Sequence, residues 1–546
     1  MLKTLFFALV YLTASQASMA YAAPVVEPTT QNHSFRQDNS IRQDYGNNRH
    51  PIWSPLSSFE EQTLSERFDA QEGDPDALLA LFLMASGHYQ QQDFGLAQKA
   101  INNFTQALER QSIHKVKPKE QGRIINSAMH SAFFAEPQNI TEQNNDGSAT
   151  ATYAPSGRYK AEQSALAGIF IHRDFNCISS SLLYAVLIRK MGLKGLGVTL
   201  PSHAFIELNL AGGDNIDVET TSPQGYDQAH DIAFYHQDNN DWATARGLTP
   251  VTYTDYLHRE RIPLWQLGTR NMLHQHTHPG KMSELDRGRL AELSAFLDPS
   301  YETAQVNRMS YYTQEVQLML QQQRWGDLKR FINTTFDNLA QDTPRFSHNN
   351  ALQNSFFWLH LVAIRTFAAL TDADSSLDFT QTSYRLADTK EQLEEVKNNS
   401  LDALNTLLKD AVKKHDFQQG LYLLTAFEPF TNDHANYPDS VQRLYSQWAE
   451  FYWKTQEWSE SVSILEDYLL QPYLSENSQD MQKNLASAYS NWVGAELTLS
   501  KGLMDSHSQT ANAIIEQCEA QHLEQPTCNE ARKKMQAYRL KNSQSP

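Results

Sequence analysis

The chain has 546 residues, 45 of them basic and 63 acidic, which leaves a net charge of −18. An acidic excess with no basic stripe argues against nucleic acid and anionic lipid as partners, and an apolar content of 40% with 11% aromatics excludes wholesale disorder. The length calls for about three to five folding units, and three cysteines are too few for a disulfide scaffold.

Residues 1–22 read as a secretory signal peptide. Lys3 supplies positive charge, residues 5–12 form a short apolar run, and Ala20-Tyr21-Ala22 offers a small-x-small cleavage pattern. The run is far short of the roughly 20 apolar residues that span a bilayer, and no cysteine directly follows it to accept a lipid. The most apolar later stretch, 356–370, is interrupted by His360 and Arg365 and reads as a buried helix, not a membrane span. The expectation is an exported chain, periplasmic or secreted. In that oxidising setting Cys518 and Cys528, on either side of Pro526, are expected to pair, which leaves Cys177 as an odd thiol.

Residues 23–58 are polar and lack apolar periodicity, so a flexible lead-in is expected. From 59 to 135 the pattern is helical, with Leu78, Leu79, Leu81, Phe82 and Met84 at helix-compatible spacing, then Ala97, Ile101 and Leu108. Residues 136–157, with Asn145-Asp146-Gly147, are expected to form a long loop.

The texture changes over 158–265. Asn176 is a good N-cap, and the apolar helix after it ends in Arg189, Lys190 and Gly192. Cys177 therefore falls in the first turn of a buried helix, where the partial positive charge favours thiolate. Two alternating stretches follow, joined by the hairpin turn Ala211-Gly212-Gly213-Asp214. With Ala204, Ile206 and Leu208 on one face and Ile216 and Val218 beside them, His203 shares the opposite face with Asp217 and Glu219. A register centred on the glycines puts Thr221 across from His203, Glu219 one diagonal away and Asp217 further, so Glu219 is the better partner for the imidazole.

Cysteine nucleophile, histidine base and orienting carboxylate follow the triad logic of acyl transfer. In this order, a cysteine opening a helix and then His and acid on successive strands, the segment resembles the transglutaminase-like superfamily of papain-related cysteine enzymes. The resemblance covers about 70 residues and implies that Cys177, His203 and Glu219 stand at the family's catalytic positions. Val218-Glu219-Thr220-Thr221 replaces the aspartate, proline and threonine common in members, so the acid is substituted. It implies an α+β core acting on peptide or amide bonds, with no cofactor. Nothing selects hydrolysis over transamidation, and a degenerate core that only binds peptide is the alternative.

Beyond Met282 the chain reads as helical to its end. A polar triplet followed by an aromatic recurs in Gln91-Gln92-Asp93-Phe94, Gln322-Gln323-Arg324-Trp325, Lys414-His415-Asp416-Phe417 and Thr455-Gln456-Glu457-Trp458. Leu444, Trp448 and Phe451 are matched 41 positions later by Leu485, Tyr489 and Trp492. These turns, with Leu297-Asp298-Pro299 as an exit turn, resemble tetratricopeptide repeats, although the period exceeds the usual length of about 34 and 501–508 looks like an insertion. The expectation over 283–546 is an all-α solenoid that recognises a protein partner.

His274, His276 and His278 would share a face in an extended segment, but no carboxylate or cysteine beside them completes a metal site. Gly192, Gly195 and Gly197 follow a helix and precede a strand, the wrong order for a phosphate cradle, so they read as turns.

Overall fold

In the computed structural model the described residues are 58–88, 90–134, 141–143, 149–151, 158–160, 163–201, 203–235, 250–277, 284–476, 478–522 and 526–543. The expected signal at 1–22 and the lead-in up to residue 57 lie outside them.

Five helices come first: α1 (Ser58–Ser65), α2 (Arg67–Glu72), α3 (Pro75–Ala85), α4 (Gln91–Arg110) and α5 (Pro118–Phe133). Asp74 caps α3 by accepting from the Asp76 and Ala77 N–H groups, and every residue from Ala77 to Ala85 is buried. A helix that is apolar all round has to be enclosed. Here α4 packs against α3, and the helices described next enclose the rest. The triplet Gln91-Gln92-Asp93 lies inside α4 and does not close a preceding helix. Within the expected loop, β1 (Thr141–Gln143) and β2 (Ala149–Ala151) pair antiparallel on either side of the Asn145-Asp146-Gly147 turn signal.

β3 (Arg158–Tyr159) pairs in parallel with β4 (Asp174–Phe175), and α6 (Leu166–His172) lies between them in the chain. The cysteine helix α7 (Cys177–Lys190) follows, capped reciprocally by Asn176 and Ser179. Next come β5 (Lys194–Leu200), β6 (His203–Asn209) and β7 (Asn215–Val218), then α8 (Tyr253–Leu257) and β8 (Glu260–Pro263). The strands form one antiparallel sheet in the order β7-β6-β5-β8.

One face of the sheet, with Ala204, Ile206, Leu208, Ile216 and Val218, is buried, and α7 packs across β6 and β5. The other face carries the polar set and is buried as well, because Tyr253 and Tyr256 of α8, with Tyr235 and Ala229, pack against Val198 and Phe205. Gly195 and Gly197 lie inside β5 and not in turns; a Cβ at Gly197 would fall 2.6 Å from the Leu267 side chain, so the strand needs its absence.

The segment expected to be extended around His274 and His276 is helical, α9 (Gln266–Thr277); His278 lies outside the described residues. Helical spacing takes alternate residues off a common face. Among the described residues no group of three or more His, Cys, Asp or Glu side chains is placed to hold a metal ion.

The remainder is helical: α10 (Glu284–Leu297), α11 (Glu302–Gln321), α12 (Trp325–Asp342), α13 (Asn350–Ala369), α14 (Ala373–Leu386), α15 (Lys390–Lys413), α16 (Phe417–Thr431), α17 (Tyr437–Thr455), α18 (Trp458–Leu469), α19 (Ser478–Leu499), α20 (Ser506–Gln521) and α21 (Asn529–Ser543). Three of the polar triplets join helices as expected, and each has its middle residue in the left-handed region: Gln323, His415 and Gln456, with φ of 54°, 57° and 61°. In each turn the next N–H reaches back five residues, from Arg324 to Met319, Asp416 to Ala411 and Glu457 to Tyr452, at 2.9 Å. This is the Schellman arrangement. Thr371 (φ 58°) makes a fourth turn of this kind, with Asp372 donating to Phe367 at 2.9 Å. It lacks the aromatic signature of the other three, because Ala373 opens the next helix.

Leu444, Trp448, Leu485 and Tyr489 are buried core residues, as their spacing predicts. Cys518 and Cys528 form the expected disulfide, which ties the end of α20 to the start of α21. Among the described residues no helix is long and apolar enough to cross a membrane.

Candidate active site

Three chain segments meet where α7 begins. Asn176 Oδ1 accepts the N–H groups of Ile178 and Ser179 at 3.0 Å, and the Cys177 N–H has no acceptor among the described residues. Cys177 is the free cysteine and is buried. His203 opens β6. The β6–β7 ladder pairs Ile206 with Val218 and Leu208 with Ile216, and this register, continued, sets Thr221 opposite His203 as the glycine-centred hairpin predicts.

The strand does not continue that far. After Val218 the backbone turns, with Glu219 N–H donating to Gly225 O at 2.8 Å and Gly225 N–H to Ser222 O at 3.1 Å. A Cβ at Gly225 would lie 2.3 Å from Glu219 O, so only glycine fits against the backbone of the acid. The turn signal Ser222-Pro223-Gln224-Gly225 is visible in the sequence, but its closeness to Glu219 is a tertiary fact.

This turn aims Glu219 at the histidine. Glu219 Oε2 and His203 Nε2 are 2.5 Å apart, while Glu219 Oε1 accepts from the Thr221 N–H at 3.0 Å and the Thr221 hydroxyl at 2.7 Å. Both carboxylate oxygens are used, as a buried charge requires. The Cys177 side chain lies beside the same imidazole and helps to raise its pKa. With Nε2 given to Glu219, Nδ1 is the nitrogen left for sulfur.

Burial pushes the His203 imidazole down, but the charge of Glu219 and the hydrogen bonds to Cys177 and Glu219 outweigh it and hold the ring well above 6.5. Burial likewise pushes Glu219 up, and the His203 charge and the bonds from His203 and Thr221 bring it below 4.5. The two directions agree: the pair is carboxylate and imidazolium.

Asp217 stands apart from the histidine. Its Oδ2 accepts from the Tyr256 hydroxyl at 2.7 Å, and burial raises its carboxyl above 3.8. It shares the face of His203 but pairs with Glu207, four residues further along β6, and Tyr256 takes it, so it is not the group that orients His203.

Residues that sequence reasoning passed over hold the constellation in place. The Thr220 hydroxyl sits between those of Ser180 at 2.8 Å and Ser181 at 2.9 Å, linking the segment that bears the acid to the first turns of α7. The backbone carbonyl of Thr220 accepts from His130 Nε2 of α5 at 3.0 Å, and Asn126 of α5 donates to Ser222 O at 3.0 Å. His130 is buried, and burial pushes it down to about 4, so it is neutral there. No local pattern marks these residues, because their partners lie 39 to 96 positions away.

Neither a scan against protein-family profiles nor a search of curated proteins returns a match for the chain.

Proposed function

We propose that the protein is an exported cysteine-dependent hydrolase or acyltransferase acting on peptide or amide bonds through Cys177, His203 and Glu219. Its core is of the transglutaminase-like kind, followed by a tetratricopeptide-like solenoid that recruits a protein partner or substrate. The observation that carries this reading is one imidazole bonded to a buried carboxylate and set beside the free cysteine at the start of α7. The order of helix, histidine strand and acid supports the transglutaminase-like reading, and the Schellman turns support the repeats. The disulfide of Cys518 and Cys528 fits an oxidising compartment.

The Cys177 sulfur attacks the carbonyl carbon with its proton already held on His203, and Glu219 stabilises that imidazolium. The Cys177 N–H, with no partner among the described residues, points to the oxyanion donor. The imidazolium then gives its proton to the departing amine, leaving a thioester on Cys177. Water or a second amine, deprotonated by His203, attacks the thioester and restores the thiol. Water gives hydrolysis and an amine gives transamidation. No cofactor is needed.

Iodoacetamide at mildly acidic pH, followed by peptide mass spectrometry, tests the reading. Cys177 is expected to alkylate faster than glutathione, and His203→Ala to remove the difference. Cys177→Ala is expected to lower amide cleavage or transfer roughly 10⁴-fold or more. A thiol no faster than glutathione, together with unchanged activity in Cys177→Ala, would leave a helical scaffold with a vestigial core.

A further inference from the structure

The connection between α19 and α20 differs from the polar turns that join the earlier helix pairs. It begins at Ser500 and holds a compact shape: the Ser500 hydroxyl donates to Gly502 O at 3.0 Å, Asp505 N–H donates to Gly502 O at 3.1 Å, and Asp505 caps α20 through the His507 N–H at 2.8 Å. Its apolar side chains face outward: Met504 is 87% exposed, Leu499 at its base 60% and Leu503 39%. Met504 at this exposure adds little to the packing of the repeats.

Beside them the charge is locally inverted. Lys501 of the turn and Lys534 and Lys541 of α21 line one cleft between α19 and α21, and Tyr538 pins α21 to the turn through the Ser500 hydroxyl at 2.8 Å. α21 carries Arg532, Lys533, Lys534, Arg539 and Lys541 against Glu530 alone. The neighbouring acids are engaged: Glu496 with His507 at 2.7 Å, Glu530 with Lys533 at 2.6 Å, and Glu519 with Arg532. Lys534 donates to two neutral acceptors, Ser490 O and Asn491 Oδ1, so its charge stays uncompensated by them.

We propose that this end of the repeats docks on an anionic lipid bilayer, with Leu503 and Met504 entering the headgroup layer and Lys501 and Lys534 meeting lipid phosphates. Protruding apolar side chains flanked by lysines suit a soft, fluid interface that carries negative charge. An acidic protein would need a hollow to receive them. The expectation drawn from the net charge of −18 fails here because a sum over the chain averages away a local cluster. The proposal is independent of the catalytic reading.

The test is co-sedimentation of the full-length chain with vesicles of phosphatidylglycerol and phosphatidylethanolamine in equal parts, with phosphatidylcholine vesicles as control. Binding to the anionic vesicles is expected, falling as salt rises. Leu503→Glu with Met504→Glu is expected to weaken partition about tenfold or more, and Lys501→Gln or Lys534→Gln roughly fivefold each. All these chains share the apolar run near the N-terminus, so the differences report on the turn and cleft, and circular dichroism melts confirm that the variants fold. Equal pelleting of variants and unaltered chain overturns the proposal. So does binding only to an acidic protein with no preference for anionic vesicles.

Discussion

In the helical repeats, Thr335, Thr366, Thr380 and Thr431 each return their hydroxyl to a carbonyl four residues back on the same helix. Beside the sheet, Thr220 instead spends its hydroxyl on Ser180 and Ser181, 40 and 39 positions away. Both groups are buried, but the first satisfies a helix locally and the second joins two elements. The contrast extends to charge. Glu219 and Glu207 are almost wholly enclosed and meet their partners across the sheet, His203 for the one and Arg261 at 2.9 Å for the other. Many ion pairs of the repeats are exposed and three or four residues apart, as in Lys414–Asp410 and Lys454–Glu450. A polar group satisfied by its own helix can be replaced in isolation. One satisfied across the fold holds a geometry, and the candidate chemistry sits only where such groups converge.

Substitutions at matched positions should break this contrast or sharpen it. The largest effect is expected from Glu219→Gln, which should lower turnover on the order of 10³- to 10⁴-fold. It should also let His203, which burial pushes down, titrate at lower pH. The readout is the pH dependence of Cys177 alkylation. The sign follows from both partners: Glu219, lowered below 4.5, contributes stability present above that pH and lost as pH falls through its folded value, and His203, raised above 6.5, contributes stability present below that pH and lost as pH rises through its folded value. The pair therefore stabilises most between the two.

Trp448→Ala should do the reverse. Trp448 is buried in the repeats and stacked on Phe417 at 5.5 Å, so its loss should cost about 3–5 kcal/mol in chemical unfolding. Turnover per folded molecule should stay the same. A loss of turnover on that scale would mean that the repeats shape the site.

His130 gives an acid-labile term. Its pKa falls from 6.5 to about 4 on burial, so the unfolded chain binds the proton first. Stability should decline by about 3 kcal/mol as pH falls across that range and then level off. His130→Gln should flatten the profile, measured by denaturant midpoints at several pH values.

The smallest and most direct comparison is Thr220→Val against Thr366→Val. The first leaves two seryl hydroxyls without their shared partner and should cost about 1–3 kcal/mol, with reduced turnover. The second removes a bond within one helix and should stay below about 1 kcal/mol, with turnover unchanged. Equal effects would erase the distinction between local and long-range satisfaction.

Much of the fold was legible because it rests on short-range physics. The Asn176 cap, the glycine hairpin at 212–213 and the polar triplets ahead of Trp325, Phe417 and Trp458 all act within a few residues, and each forms as its chemistry predicts. Period-two alternation placed His203 and Glu219 on one side of the hairpin. Where the reading failed, packing had overridden local preference. Gly195 and Gly197 are strand residues paired with Leu208 and Ile206 of β6, each with a neighbour packed too close for a side chain, and the segment of His274 and His276 coils into a helix that packs on α3 and α10.

By itself, then, the sequence determined where helices start and stop, which thiol is left over and which carboxylate lies nearest the histidine, since caps, turns and side-chain period are set by neighbouring residues. Only the tertiary structure decided that the polar face of the sheet is roofed by Tyr253 and Tyr256, that Asp217 answers to Tyr256, and that Thr220, Gly225 and His130 hold the acid in place. Those facts depend on groups brought together from distant parts of the chain, and no local signal encodes which distant partner a buried polar group will find.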